Sequence, residues 1–342
     1  MLISYLRSSS YTAFDWCQFK YWLVYTLGLK EQSGWKSERG NMVHKALELL
    51  ARRKLAEQEG KTGFLEPELC REFSVDDIDV ESSARLGYEH YAKKNESKHD
   101  WGEKDYEDVL RWTRETVEFR GGLFDPRKRV VIAPELYFDL PIDKPWAKYS
   151  YISPHDGKKL EGALRIKGTM DLVTRVAPGI IELCDWKTGR RWDWGKDIEK
   201  TYERMCDDPQ LLLYYYALSE LYPDEQTIFV TIFFCQDGGP FTIVFEKKHR
   251  ERALAKLRRR FEAIKHSQLP GRILGDASKR WKCERLCHFY KDKREDGQSQ
   301  CDYLYQELVS LGMDRATAKH GRPGAAFQYG SGGGQSNREG TP

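Results

Sequence analysis

The stretch ALRIKGTMDLVTRVAPGIIELCDWKTG, residues 163–189, decides the fold. Its first part, Ala163 to Val176, is rich in β-branched and apolar residues and reads as a strand. Ala177-Pro178-Gly179 is a tight turn, and IIELCDWK (180–187) is a second strand returning antiparallel to the first. Side chains at i and i+2 share a face, so Ile181, Leu183, Asp185 and Lys187 all point one way. The apolar pair anchors that face and the charged pair emerges at its end, while Cys184 faces the opposite, buried side. Asp171 is the antiparallel neighbour of this end. Two carboxylates converging at a strand end make a hard-oxygen site suited to Mg²⁺ or Mn²⁺. A lysine beside them can hold or deprotonate a metal-bound water. A surface Asp–Lys pair on a hairpin satisfies the same local pattern, so the flanking sequence has to decide.

Upstream, VVIAPELYFDLPI (130–142) reads as a further strand. Downstream, Asp208 caps a helix whose first residue is Pro209, DPQLLLYYYALSELY (208–222). Two more strands follow, QTIFVTIFFCQ (226–236) and FTIVFEK (241–247). A basic helix over 249–267 then places Leu254, Leu257, Phe261 and Ile264 on one face. At the other end of the chain, residues 8–30 carry Phe14, Tyr21, Trp22 and Tyr25 at helical spacing. Gly40 leads into NMVHKALELLARRKLA (41–56), where Val43, Leu47, Leu50 and Ala51 form one apolar stripe. Residues 57–128 are charge-rich and weakly periodic and read as a helical insertion or lid. Residues 312–342, without core-forming runs from about Gly321, read as a disordered tail.

The 342 residues exceed what one hydrophobic core usually supports, so an insertion or a second domain is expected. Hydrophobic residues at 40% exclude a wholly disordered chain. No run approaches the ~18 apolar residues of a membrane span, and MLISYLRSSS lacks a signal core. The expectation is a soluble, cytoplasmic protein without a membrane partner. Net charge is only +3, but Lys247 to Arg294 holds 17 Lys or Arg against 5 Asp or Glu. That excess suits a polyanion such as DNA, or it is a solvated helix face. Arg190, Arg191, Trp192 and Trp194 are of the types that hold a single strand by phosphate contact and stacking, or they are a packed loop.

The order Gly40-x-x-x-His44, Gly168-Thr-Met-Asp171, Asp185-Trp-Lys187-Thr188-Gly189, Gln210-x-x-x-Tyr214 resembles the RecB-type branch of the PD-(D/E)XK nucleases. That branch includes the nuclease domains of RecB, AddA and AddB and the CRISPR-associated exonucleases. The resemblance covers most of residues 8–305 and leaves the 57–128 insertion and the tail unexplained. It implies that Asp171 and Asp185 ligate Mg²⁺ or Mn²⁺ with the Trp186 carbonyl, and that His44 adds a nitrogen ligand. Lys187 would orient the attacking water and stabilise developing charge. Gln210 and Tyr214, four apart on one helix face, would support the lysine and the DNA backbone. Glu135 matches a glutamate often found on the first strand of the family, although an edge-strand charge fits it as well.

Eight cysteines without an export signal argue against disulfides. Only Cys283, Cys287 and Cys301 cluster. In the iron–sulfur members of this branch, one N-terminal cysteine joins three near the C-terminus, which makes Cys17 the fourth here. Four thiolates suit a 4Fe–4S cluster or tetrahedral zinc. The spacings differ from the family's usual ones, where the first pair is closer and the last gap shorter.

The implied fold is an α/β restriction-endonuclease-like mixed sheet flanked by helices. Its expected parts are N-terminal helices (1–56), the insertion (57–128), the nuclease core (129–270), a cysteine-cluster subdomain (271–311) and the tail. The implied function is a metal-dependent DNA exonuclease of recombination or repair, acting on DNA with single-stranded ends. A nuclease of CRISPR spacer acquisition, or a non-catalytic DNA-end-binding subunit, is the alternative. The intact Asp171, Asp185 and Lys187 argue against the last. No GxxxxGK[ST] loop occurs, so unwinding would fall to a helicase or recombination partner.

Overall fold

Strand β1 (Val130–Pro141) precedes the pair read from the deciding stretch, β2 (Arg165–Ala177) and β3 (Ile180–Lys187). These, like all features described here, come from a computed structural model that describes residues 1–193, 198–199, 201–236 and 239–327. β2 runs antiparallel to β3 through the Pro178-Gly179 turn, with Leu172 opposite Cys184 and Val173 opposite Leu183. Gly179 has a φ of +73°, the left-handed conformation such a turn requires. β4 (Thr227–Phe234) lies parallel to β3 along its whole length, from Thr227 beside Ile180 to Phe234 beside Lys187. β5 (Gly239–Glu246) returns antiparallel to β4, and β1 pairs with β2. The result is a mixed sheet. Its parallel step is bridged by a helix, as the crossover rule demands.

The chain divides into two compact units. One comprises Ser33–Tyr137 and Thr169–Arg250. In it α1 (Trp35–Gln58), α2 (Val80–Lys94), α3 (Glu103–Glu118) and α4 (Pro209–Leu221) accompany the strands. Asp208 caps α4 by accepting the Gln210 N–H at 2.8 Å, with Pro209 at the first helical position. Met42, Val43, Leu47 and Leu50 of α1 share one core with Leu172 of β2, Cys184 and Trp186 of β3 and Phe233 of β4. β3 is buried on both faces from Ile181 to Trp186, and its two buried carboxylates are partnered: Glu182 accepts from Thr231 Oγ1 and pairs with Arg129, and Asp185 accepts from Gln210.

The other unit comprises Met1–Gln32, Phe138–Gly168 and the chain from Glu251 to the last described residue. A short strand, Tyr5–Leu6, pairs parallel with the start of β2. The basic helix Arg250–Lys265 buries Leu254, Leu257, Phe261 and Ile264, the face expected from its spacing. Gly168 stands where a Cβ would lie 2.7 Å from the Phe138 ring, so the glycine makes room for that side chain.

Four expectations are corrected. Residues 8–30 are not one helix: Ser8–Trp16 ends at Cys17, and Gln18–Tyr21 then starts before a π-helical turn over Trp22–Thr26. Cys17 is extended (φ −161°, ψ 114°) and its sulfur caps the second helix by accepting the Lys20 N–H at 3.4 Å. The insertion is not a separate lid. Besides its helices it holds a hairpin, Gly63–Glu66 with Arg71–Ser74, and its Phe73, Ile78, Val109 and Trp112 belong to the core of α1. The tail is ordered well past residue 312. Met313–His320 is a helix, Arg322 N–H donates to the Leu27 carbonyl at 2.9 Å, and Ser4 Oγ donates to the Ala326 carbonyl at 2.7 Å. Buried Ala316 and Ala326 supply apolar contact that composition alone does not reveal. Residues 328–342 lie outside the described ones. The unit boundaries also cut through the expected 129–270 core, because 138–168 packs with the chain ends. Among the described residues, no helix is long and apolar enough to cross a membrane.

Candidate active site

One step past the last registered pair of β2 and β3, Asp171 and Asp185 face each other at the sheet end. Asp185 is 1% exposed and Asp171 8%. Asp171 Oδ2 accepts the backbone N–H of Trp186 at 2.8 Å and lies 3.4 Å from His44 Nδ1 on α1. Asp185 Oδ2 is 2.6 Å from Lys187 Nζ, and its Oδ1 accepts a hydrogen bond from Gln210 Nε2 at 3.1 Å. Gln210 Nε2 also reaches the Tyr214 hydroxyl at 3.1 Å, which donates to the Thr169 carbonyl at 3.2 Å. Six of the residues singled out in the sequence therefore meet here, His44 on Asp171, and Lys187, Gln210 and Tyr214 around Asp185. Gly40, one turn before His44, lets Thr188 come close: a Cβ there would lie 2.8 Å from the Thr188 hydroxyl.

The electrostatics separate the two carboxylates. Burial opposes charge on Asp171, but His44 and Lys187 outweigh it and hold its pKa below the ordinary value. Burial raises Asp185, and the nearby Asp171 charge adds to this against the pull of Lys187, so its pKa ends above the ordinary value. Burial likewise disfavours charge on His44 and Lys187, yet the carboxylates prevail and raise both pKa values. Lys187 is thus a standing ammonium, fitted to orient a water or stabilise an anion rather than to take a proton.

Glu135 joins this group by an irregularity of β1. Its φ of +48° is left-handed, a strained conformation for a residue with a Cβ, and it follows Pro134 within the strand. Burial, then the charges of Asp171 and Glu48, push its carboxyl up to about 8. A carboxyl whose folded pKa is raised contributes stability that is full below its unfolded pKa and is lost as pH rises through about 8. In chelator-treated protein, the melting temperature of wild type should therefore fall between pH 5 and 8.5 more steeply than that of Glu135→Gln. Equal slopes would remove Glu135 from the group.

The donor set fits a hard divalent cation. Two buried carboxylates face one another, and the pKa of one is raised partly by the other's charge. Among the described residues, no three His, Cys, Asp or Glu side chains stand grouped to hold a metal as they are. The two aspartates offer the carboxylate oxygens that Mg²⁺ favours, and His44 Nδ1 stands 3.4 Å from one of them. Of the Arg190–Trp194 stretch, Arg190 is exposed and Arg191 packs over the Phe241 ring at 4.7 Å. Trp194 and the side chain of Trp192 lie outside the described residues.

The four cysteines of the second constellation lie in the other unit. Cys17, Cys283, Cys287 and Cys301 are all buried and free of disulfides. Burial, then Cys287 and Cys17, push the Cys283 thiol up to about 11. Burial pushes Cys301 up to about 12, partly offset by Arg272. Gly271 O accepts the Phe19 N–H at 3.1 Å, which ties the Cys17 turn to the approach to Arg272. In kind and number the thiols match the ligands of a cluster or a zinc ion, while among the described residues no three of them stand grouped to hold a metal as they are. Sequence reasoning missed a different group, in which Lys45, next to His44, is buried among glutamates.

The model of the PD-(D/E)XK nuclease superfamily matches residues 8–324. No curated protein matches the chain. Similar solved structures include that of a protein from Eubacterium rectale described as a candidate exonuclease, 13% identical over 81% of this chain and 88% of that one, with a TM-score of 0.44. Another is SSO0001, 18% identical over 72% of this chain and 95% of that one, with a TM-score of 0.25. These two are too distant to carry an argument. The family match runs through every residue of the site, from His44 to Tyr214, and so this chain belongs to the PD-(D/E)XK nuclease superfamily.

Proposed function

We propose that this nuclease is a Mg²⁺- or Mn²⁺-dependent DNA exonuclease of recombination or repair. The observation that carries the reading is the joining of Asp171, Asp185, Lys187 and His44 at one sheet end, with Gln210 and Tyr214 bracing it. Asp171 and Asp185 would hold the cation, with the Trp186 carbonyl and His44 as further donors. A bound divalent ion polarises the phosphate and lowers the pKa of a water. Lys187, held as an ammonium by Asp185, faces the negative charge that develops on the phosphate oxygens. Gln210 fixes the second oxygen of Asp185 and, through Tyr214, ties that carboxylate to the backbone of β2. His44 must give up its proton to ligate a metal, so metal affinity rises with pH.

Exonuclease action is tested with matched linear and covalently closed circular DNA in Mg²⁺ or Mn²⁺. Loss of linear DNA with survival of the circles supports it; equal loss of both would make the enzyme an endonuclease. The basic stretch supplies a further expectation. Arg259, Arg285 and Lys291 occupy exposed positions. If they meet phosphates, DNA affinity falls steeply with salt, and each Ala substitution lowers the log–log salt slope by about 1. A slope unchanged in the triple variant would leave this stretch as a solvated surface.

We also read the four thiols as ligands of a structural 4Fe–4S cluster, with zinc as the alternative. The support is that Cys17, from the start of the chain, and Cys283, Cys287 and Cys301, from one stretch near its end, are all buried, free of disulfides and in the same unit.

A further inference from the structure

We infer that the insertion places His44, through an ionic clasp on the neighbouring Lys45, and so sets the affinity of the catalytic metal. This rests on the reading of His44 as a metal ligand. Lys45 is the next residue along α1, and its side chain is 5% exposed. Its ammonium lies 2.5 Å from Glu48 of the same helix, 2.9 Å from Glu66 and 2.9 Å from Glu68. Glu66 and Glu68 belong to the insertion: Glu66 ends the strand Gly63–Glu66, and Glu68 follows in the turn. Glu48 is held in turn by Arg52 at 2.6 Å, and Glu68 accepts from Tyr91 at 3.0 Å and pairs with Lys94 at 3.2 Å, both on α2.

A buried ion cluster of this kind is a poor way to gain stability, because the desolvation of each charge offsets most of the attraction. An apolar side chain at position 45 would fill the space at less cost. What the cluster does supply is direction: the Lys45 ammonium meets three carboxylates, two of them on the insertion, and these contacts tie the rotation of α1 at this turn to the insertion. His44 shares that turn, and its Nδ1 must meet Asp171 at the sheet end. Two further ties hold the helix on either side, one to the insertion and one to β1. Arg39 pairs with Asp108 of α3 at 2.6 Å, and Gln58 exchanges two hydrogen bonds with the backbone of Val131 at 2.8 and 2.9 Å. The glutamates of the clasp are positioning residues, since none of them touches Asp171 or Asp185 in the hydrogen-bonded group.

The test measures the Mn²⁺ concentration that half-saturates both Mn²⁺ binding, read by the electron paramagnetic resonance of free ion, and DNA cleavage. Glu66→Gln and the half-exposed Glu68→Gln, the milder of the two, should each raise it by about 10-fold, as loss of an outer support of a metal ligand does. Cleavage at saturating Mn²⁺ and the KM for DNA should stay near wild type. On a His44→Ala background, which raises the half-saturating concentration by itself, the same substitutions should add nothing further. A purely structural role would lower melting temperature and active fraction without moving the Mn²⁺ midpoint, and that outcome overturns the inference. Additive effects on the His44→Ala background also overturn it, because the clasp would then act elsewhere. An unmoved midpoint in His44→Ala alone would instead show that His44 is no ligand, and the underlying reading would fall first.

Discussion

Replacing Asp171 or Asp185 with alanine should reduce DNA hydrolysis by at least about a thousand-fold while DNA binding persists. Both carboxylates are buried at the sheet end, where their neighbours are Lys187, His44, Gln210 and a backbone N–H rather than core side chains. Their effects on stability should differ in sign, which separates this account from simple loss of structure. The pKa of Asp171 is lowered, so at neutral pH its charge stabilises the fold; Asp171→Ala also leaves the Trp186 N–H without its acceptor, at a cost of about 1–3 kcal/mol. The pKa of Asp185 is raised, so its charge is carried at the expense of stability. Asp185→Asn should therefore be inactive yet melt no lower than wild type. Differential scanning calorimetry beside a cleavage assay reads both. A destabilised, inactive Asp185→Asn would mean that the carboxylate is structural.

The second large effect concerns the thiols. Cys17→Ser and Cys283→Ser should each release the metal and lower the melting temperature by about 10 °C, corresponding to a loss of roughly 3 kcal/mol or more. Cys17 and Cys283 are far apart in the chain, so a shared centre closes a very long loop and removes unfolded-chain entropy. Protein purified without oxygen should be brown, with a broad absorbance near ~400 nm. A colourless preparation carrying one zinc per chain would replace the cluster and keep the staple; a preparation carrying neither metal would remove both.

The deciding hairpin was legible because three independent signals agree in it: runs rich in β-branched and apolar residues, a Pro-Gly turn between them, and Asp185 and Lys187 two apart, hence on one face, where the second run ends. α4 was legible from Asp208-Pro209, which fix both the cap and the first turn. Other features had no local signature. Nothing in residues 8–30 announces the break at Cys17, because the helical spacing of Phe14, Tyr21 and Trp22 continues across it; the break follows from an extended backbone at one residue. Lys45 sits in an apolar run and reads as a helix-surface lysine, while its partners Glu66 and Glu68 lie some twenty residues on in a segment without clear period. Long-range ion clusters leave no periodicity. The tail misled for a related reason: Ala316 and Ala326 are small, and two backbone-directed hydrogen bonds near them are invisible to composition. His44 and Glu135 were found by motif order alone, since a histidine on a helix and a glutamate after a proline carry no chemistry until the fold brings them to Asp171.

The central claim is that one carboxylate pair and its lysine carry out metal-dependent hydrolysis. The most direct measurement follows end-labelled single- and double-stranded DNA under single-turnover conditions with Mg²⁺ or Mn²⁺, comparing wild type, Asp185→Asn and Lys187→Ala at equal DNA occupancy. Cleavage by wild type should stop on chelation, and cleavage by either variant should be at least about a thousand-fold slower. Cleavage by Asp185→Asn at the wild-type rate, or cleavage by wild type that persists in chelator, would contradict that claim.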